Sequence, residues 1–162
     1  MTFIDFEKAF DSLKTEILCP TLQEYGIPRK ITQIIKILYD RCKCKISHEG
    51  KLSEFVEVRN GVRQGCIISP TLFLVILDRV MRRMKGLRKR GIQWNMKERL
   101  EDLDYADDIC LLAQRFCNMD EKQKRLKEEA ELAGLHINIK KTKGMRVNTS
   151  NIQKFGLEET EI

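Results

Sequence analysis

Apolar residues recur along this chain at two spacings, and each predicts a different kind of element. In "PRKITQIIKILYDRC" the residues Ile31, Ile34, Ile35, Leu38 and Cys42 fall on one face of a 3.6-residue period behind Pro28, which predicts an amphipathic helix. A second helix is expected where Phe73, Ile76, Leu77, Val80 and Met84 form a stripe, with Ser69 as its cap and Pro70 in its first turn. It runs into the basic stretch "RRMKGLRKRG". "DSLKTEILCPTLQEYG" also reads as helical, with Asp11 and Ser12 as caps and Pro20 ending or kinking it. A polar helix is expected from about Asp120 to Ala133, closed by Gly134.

Shorter runs between these segments read as strands. "TFIDF" opens the chain, and "KCKISHEGKLSEFVEV" predicts two strands joined by a turn at Glu49-Gly50. "NGVRQG" follows as a loop with two glycines. A short strand is expected near "GIQWN", and "RLEDLDYADDICLLA" reads as two strands reversing at Asp107-Asp108. "LHINI" alternates as a strand, and "KKTKGMRVN" carries a basic turn into another. No repeat or low-complexity segment interrupts the alternation of strands and helices, which suits an α+β or α/β domain.

The length of 162 residues suits one compact domain, and 42% hydrophobic with 33% charged residues is ordinary for a soluble protein. No apolar run is long enough to span a bilayer, and "MTFIDFEKAF" is unlike a secretory leader. The six cysteines lack zinc-site spacing and read as reduced thiols of an intracellular protein. A net charge of +6 points weakly to an anionic partner such as nucleic acid.

Asp107 and Asp108 change the picture. Two unit charges about 4 Å apart at an effective dielectric near 20 repel by roughly 4 kcal/mol. Protonation, full solvation at an exposed turn, or chelation of a divalent cation each relieves that cost. Magnesium suits a site of carboxylates plus substrate phosphates. Asp5, at the end of the first expected strand, supplies a third carboxylate if that strand lies beside the Asp107-Asp108 hairpin.

Four segments in order, "FIDFEKAFDSL", "NGVRQGCIISPTLFLVILD", "LDYADDICLLA" and "GLHINIKKTKGM", resemble successive motifs of the reverse transcriptase palm, above all in non-LTR (LINE-type) retrotransposon enzymes. The resemblance spans residues 2 to 147. It implies an α+β fold, a polymerase palm with an antiparallel sheet and helices packed on one face. It also implies an RNA-directed DNA polymerase that adds deoxynucleotides (dNTP) to the 3′-hydroxyl of a DNA primer on an RNA template.

By that resemblance Asp5, Asp107 and Asp108 are the catalytic metal ligands, holding two magnesium ions with manganese as a substitute. Phe10 matches an aromatic that screens the nucleotide sugar, although core packing explains it too. The backbone at Asp5 and Phe6, with Gln64 and Gly65, would meet the incoming nucleotide, and Lys141 its triphosphate. Lys140 and Lys143 are neighbours able to take the same part, and a solvated basic turn is the plainer reading of all three. Arg63, Arg82, Arg83, Arg88, Lys89 and Arg90 would meet template or primer phosphates, or else form a solvated loop and helix end. Ile67 and Ile68 depart from the Pro-Leu usual in the family before Ser69-Pro70.

Against the family pattern, residues 1–147 read as a partial palm domain. The fingers are incomplete, the thumb is missing, and a tail at 148–162 stops short of the primer-gripping region. Such a fragment is expected to work weakly unless missing segments act in trans. The alternative is an inactive retroelement remnant that binds nucleic acid or has no function. Cytoplasm and nucleus are the expected locations, without membrane attachment.

Overall fold

A computed structural model describes residues 1–40, 42–85 and 90–147. The tail at 148–162 lies outside these residues, as do Arg88 and Lys89. In chain order come β1 (Thr2–Ile4), β2 (Phe6–Glu7), α1 (Ala9–Ser12), a 3-10 turn (Thr15–Ile17), α2 (Leu18–Glu24) and α3 (Arg29–Tyr39). Four two-residue strands follow: β3 (Lys43–Cys44), β4 (Ser47–His48), β5 (Lys51–Leu52) and β6 (Val56–Glu57). Helix α4 (Ser69–Lys85) leads to β7 (Ile92–Gln93), β8 (Arg99–Leu100), β9 (Asp102–Tyr105) and β10 (Asp108–Leu111). Last come α5 (Phe116–Ala133), β11 (His136–Ile137) and β12 (Lys143–Gly144). Every strand pairing is antiparallel, as expected of the α+β class.

Two compact units divide the chain, Met1–Ala9 with Leu77–Ile162, and Phe10–Ile76. The first is built on a four-stranded sheet of order β12-β1-β10-β9. Its pleat separates two faces. Thr2, Ile4, Ile109 and Leu111 are buried on one, whereas Phe3 and Leu103 are exposed on the other. The buried face continues into the apolar sides of α4 and α5, where Leu77, Val80, Met81, Met84, Met119 and Leu126 are all buried. Gln123 on α5 donates to the Thr2 hydroxyl at 2.8 Å, which satisfies the one polar side chain that β1 sends into this core.

Lys122 is the unexpected member of that core. Its ammonium is 5% exposed and donates to the carbonyls of Glu101 at 2.9 Å and Leu112 at 2.7 Å, while pairing with the Glu101 carboxylate at 2.5 Å. Three protons meet three acceptors, so the buried charge is satisfied. Burial would raise the Glu101 pKa, but the hydrogen bonds from Lys122 and the Gly91 N–H outweigh it and hold that carboxyl below its usual range.

In the second unit α2 packs on α3, and β4 and β5 form a hairpin around Glu49 and Gly50, both left-handed. Gly61 has φ +88°, and a Cβ there would fall 2.7 Å from the Asp11 carbonyl oxygen, so glycine is required. Three expectations are corrected here. Pro20 neither ends nor kinks a helix; it lies in the first turn of α2, where a missing N–H costs nothing. Asp11 and Ser12 close the short α1 rather than cap the next helix. On α3 the buried residues are Thr32, Ile35 and Tyr39, while Ile31, Ile34 and Leu38 are largely exposed. The Tyr39 hydroxyl lies 2.9 Å from that of Ser69, a bond that turns the helix toward its tyrosine edge.

All six cysteines are free, and no helix among the described residues is long and apolar enough to cross a membrane. Lys122→Met keeps the length of the side chain but strands two buried carbonyls and the Glu101 carboxylate. It should cost about 3 kcal/mol in urea unfolding. A loss below about 1 kcal/mol would show the contacts to be incidental.

Candidate active site

The register of β1 against β10 sets Thr2 opposite Leu111, Phe3 opposite Cys110 and Ile4 opposite Ile109. β1 ends at Ile4 and β10 begins at Asp108, so the same register carried one residue further would bring Asp5 opposite Asp108. Directly opposed residues of an antiparallel pair have Cα atoms roughly 5 Å apart and share a face. Asp5 and Asp108 therefore follow Phe3 and Cys110 on the open face, while the residues between them enter the core. Asp108 is itself opposite Tyr105, so β9 and β10 are joined by the two-residue turn Ala106-Asp107. Ala106 has φ +54°, a left-handed conformation that a non-glycine residue adopts at a cost in strain. The hairpin expected from sequence is present but reverses at Ala106-Asp107 rather than Asp107-Asp108, so Asp108 is the first residue of β10 instead of a tip residue, and β1, which ends just before Asp5, pairs beside it.

A second segment holds Asp5 from its other side. The carbonyl of Asp5 accepts from the Asn138 N–H at 2.7 Å, and the Asp5 N–H donates to the Thr142 hydroxyl at 3.4 Å. Asn138 closes the intervening turn by accepting from the N–H groups of Lys141 and Thr142 at 3.2 and 2.9 Å. This clamp carries the Lys141 ammonium to 3.6 Å from Asp5 Oδ2. Asn138 and Thr142, which hold the Asp5 backbone, are positions that pattern reading missed. Their only local signal is an asparagine at the end of a strand, a residue type that closes turns.

The acceptor inventory decides what the site can hold. Asp5 Oδ2 is buried without a hydrogen-bond partner. Asp107 and Asp108 are exposed, and neither side chain has a polar partner among the described residues. Unpaired carboxylate oxygens on one edge are the donor set a hard divalent cation requires, so the residues fit such an ion. Among the described residues no three metal-ligating side chains are already drawn together into a closed cage.

The remaining expected residues are distributed as follows. Phe6 is buried on β2, its backbone paired with Ile137. Phe10 stacks on Phe73 with centroids 4.6 Å apart at 17°. Gln64 donates to Asp11 at 3.2 Å and lines a cleft of about 720 Å³ with Tyr39, Asn60 and Arg63. Gly65 has φ +84° with open space beside it. Arg63 donates to the Leu38 carbonyl at 2.6 Å and lies over the Tyr39 ring, so much of its fork is committed within the second unit. Arg82 pairs with Asp78 at 2.8 Å, the Arg83 carbonyl accepts from Arg125, and Arg90 pairs with Glu121.

A second acidic pair occupies the opposite face of the sheet. Asp102 and Asp104 on edge strand β9 stand opposite the buried Leu111 and Ile109; the Asp102 side chain is buried there, whereas Asp104 is exposed at the sheet edge. Asp102 is 5% exposed, pairs with Lys85 at 3.1 Å, and has one oxygen, Oδ1, without a partner. Burial, then the charge and hydrogen bonding of Asp102, then Asp78, push the Asp104 carboxyl up to about 6, with Lys85 opposing. The unfolded carboxyl ionises near 3.8, so between these values the folded state keeps a proton that the unfolded state has lost. This contribution to stability is full below about 3.8 and is lost as pH rises through about 6. Asp104→Asn supplies a permanent donor and should raise stability at pH 7.5 by about 1 kcal/mol, discounted for solvent screening, with the gain gone near pH 4.5. Urea unfolding at both pH values checks this, and an equal gain at each would contradict it.

Comparison with known proteins places this geometry in a family. The model described as reverse transcriptase (RNA-dependent DNA polymerase) matches residues 1–158. The Transposon TX1 uncharacterized 149 kDa protein of Xenopus laevis is 30% identical over 145 residues, 88% of this chain and 11% of that protein. The Retrovirus-related Pol polyprotein from type-2 retrotransposable element R2DM of Drosophila melanogaster is 27% identical over 141 residues, 85% of this chain and 13% of that one. The chain thus spans only a small part of the length of these relatives. The solved structure of apo telomerase from Candida tropicalis truncated from its C-terminal domain matches with a TM-score of 0.63 at 21% identity, covering 96% of this chain and 32% of that one, a likeness of fold. With the family model spanning nearly all of its residues, the chain belongs to the reverse transcriptase (RNA-dependent DNA polymerase) family.

Proposed function

We propose that this chain carries the catalytic centre for RNA-directed DNA synthesis: attack of a DNA primer 3′-hydroxyl, paired to an RNA template, on the α-phosphorus of a deoxynucleoside triphosphate, with release of pyrophosphate. The observation that supports this reading is the pairing of β1 with β10: β10 begins at Asp108, and Asp5, whose Oδ2 has no hydrogen-bond partner, comes just after the end of β1. Two magnesium ions, or manganese in their place, would neutralise triphosphate charge and lower the pKa of the attacking hydroxyl. Asp5, Asp107 and Asp108 are the oxygen ligands that would hold them.

The chain's other groups have separate tasks. Lys141, already drawn to Asp5, offers an ammonium to the charge that develops on the leaving pyrophosphate. Phe10, fixed by its stack on Phe73, offers a rigid ring against the sugar, where a 2′-hydroxyl would need space. Gln64 and Gly65 would approach the incoming nucleotide and template, with Arg63 holding their loop to α3. Arg82, Arg83 and Arg90 would offer the phosphate backbone what remains of their charge beyond their internal partners. Fingers and thumb segments would grip template and primer.

Primer extension on an RNA template with magnesium and deoxynucleotides tests the centre. The Asp107→Ala, Asp108→Ala double variant should lose on the order of 10³-fold or more in rate. Equal extension by variant and parent would remove the carboxylates from catalysis, and no extension by either, with circular dichroism showing both folded, would end the claim of activity for this chain alone. Phe10→Val should admit ribonucleotides about tenfold better relative to deoxynucleotides in the same assay. An unchanged ratio with lowered stability would leave Phe10 as core packing.

A further inference from the structure

The β7–β8 hairpin contributes nothing to the carboxylate site, yet it is built with more hydrogen bonds than a passive connection needs. Its base is anchored in the first unit, where the Gly91 N–H donates to the Glu101 carboxylate at 2.8 Å. A Cβ on Gly91 would fall 2.0 Å from the Leu100 carbonyl oxygen, so only glycine lets the two strands meet there. At the tip Asn95 Oδ1 accepts from the N–H groups of Lys97 and Glu98 at 2.9 and 2.7 Å. The Trp94 N–H donates to the Glu98 carbonyl at 3.1 Å, and the Asn95 amide donates to the Glu98 carboxylate at 2.9 Å. The Gln93 amide donates to the Asn95 carbonyl as well. The tip is therefore held in one shape before anything binds to it.

That fixed tip presents its two large apolar side chains to water. Trp94 is 69% exposed and Met96 100% exposed. Around them Gln93, Asn95, Lys97, Glu98 and Arg99 are exposed and polar or charged. Apolar patches that bind proteins generally extend over a few hundred Å², and one indole with one thioether among amides and charges is smaller than that. The chemistry suits an unpaired base instead, which needs a flat π-face and a cation nearby for the adjoining phosphate. Lys97 has no ion-pair partner among the described residues, and Arg99 stands on the same hairpin with one donor on the Gly91 carbonyl. Glu98, the one acid of the hairpin, is taken up by Asn95.

We propose that the 91–100 hairpin tip is a contact for single-stranded nucleic acid, with Trp94 as the stacking platform for an unpaired base and Lys97 facing the neighbouring phosphate. The contact stands on a different element from the carboxylates and carries no base-specific donor pattern, so it is indifferent to sequence. It rests on the polymerase reading only for the choice of polymer.

Trp94 is the sole tryptophan of the chain, so its fluorescence reports on this hairpin alone. A mixed-sequence single-stranded RNA of about 20 nucleotides, comparable to the site sizes of other single-strand binders, is titrated into the full chain. Trp94 emission and the anisotropy of the same oligonucleotide carrying a fluorescein label are followed in parallel. The expected result is quenching of Trp94 with the same midpoint as the anisotropy rise. Trp94→Ala should weaken binding about tenfold while Trp94→Phe restores most of it. Lys97→Glu should weaken binding and reduce the salt slope by about one counterion. Because the indole is exposed, Trp94→Ala should melt like the parent, which separates binding from folding.

Anisotropy that rises while Trp94 emission stays constant, with Trp94→Ala binding as tightly as the parent, overturns the hairpin contact and leaves the polymerase reading intact. No anisotropy change with the parent chain also overturns the hairpin contact, while primer extension decides the polymerase reading separately.

Discussion

The pairing of Ile4 with Ile109 fixes where every carboxylate of the site can be. Burying these two side chains with Leu111 contributes about 1.5–3 kcal/mol each, and that gain selects the register. Because a strand alternates faces, the residues that satisfy the core determine which residues cannot enter it. A slip of one residue would turn Asp108 into the apolar layer and bring Ile109 out to solvent. The charge repulsion of the site is thus held in place by hydrophobic burial on the reverse of the same strands.

The two faces of the sheet handle acidity in opposite ways. On the core side Asp102 and Asp104 are relieved by Lys85 and by a proton that persists to about pH 6. On the open side Lys141 stands 3.6 Å from Asp5 Oδ2, an oxygen without a hydrogen-bond partner, and Asp107 and Asp108 are exposed with no polar partner among the described residues. One arrangement is relieved from within the fold. The other is completed by something from outside, which is the character expected of a centre that must bind, react and release.

Much of this was legible in the sequence where the deciding contacts are local or periodic. The stripe of Phe73, Ile76, Leu77, Val80 and Met84 is buried as its spacing requires, the Glu49-Gly50 turn forms, and Asp5 comes beside the hairpin of Asp107 and Asp108. What escaped was set by partners distant in sequence. The apolar side of α3 looked like its core face, yet Tyr39 is buried because it reaches Ser69, thirty residues away. Lys122 reads as one more charge on a polar helix, and nothing in its neighbourhood of sequence announces two waiting carbonyls. The clamp of Asn138 and Thr142 on Asp5 joins residues more than 130 positions apart.

Lys122 also has a dynamic consequence. Its ammonium binds Glu101 just before β9 and Leu112 just after β10, so both open ends of the β9–β10 hairpin are held by one side chain of α5. Fraying of either strand end would expose a buried cation, a cost that couples the strands to the helix. The hairpin and α5 therefore form a single cooperative opening unit, whose backbone amides would exchange with solvent together.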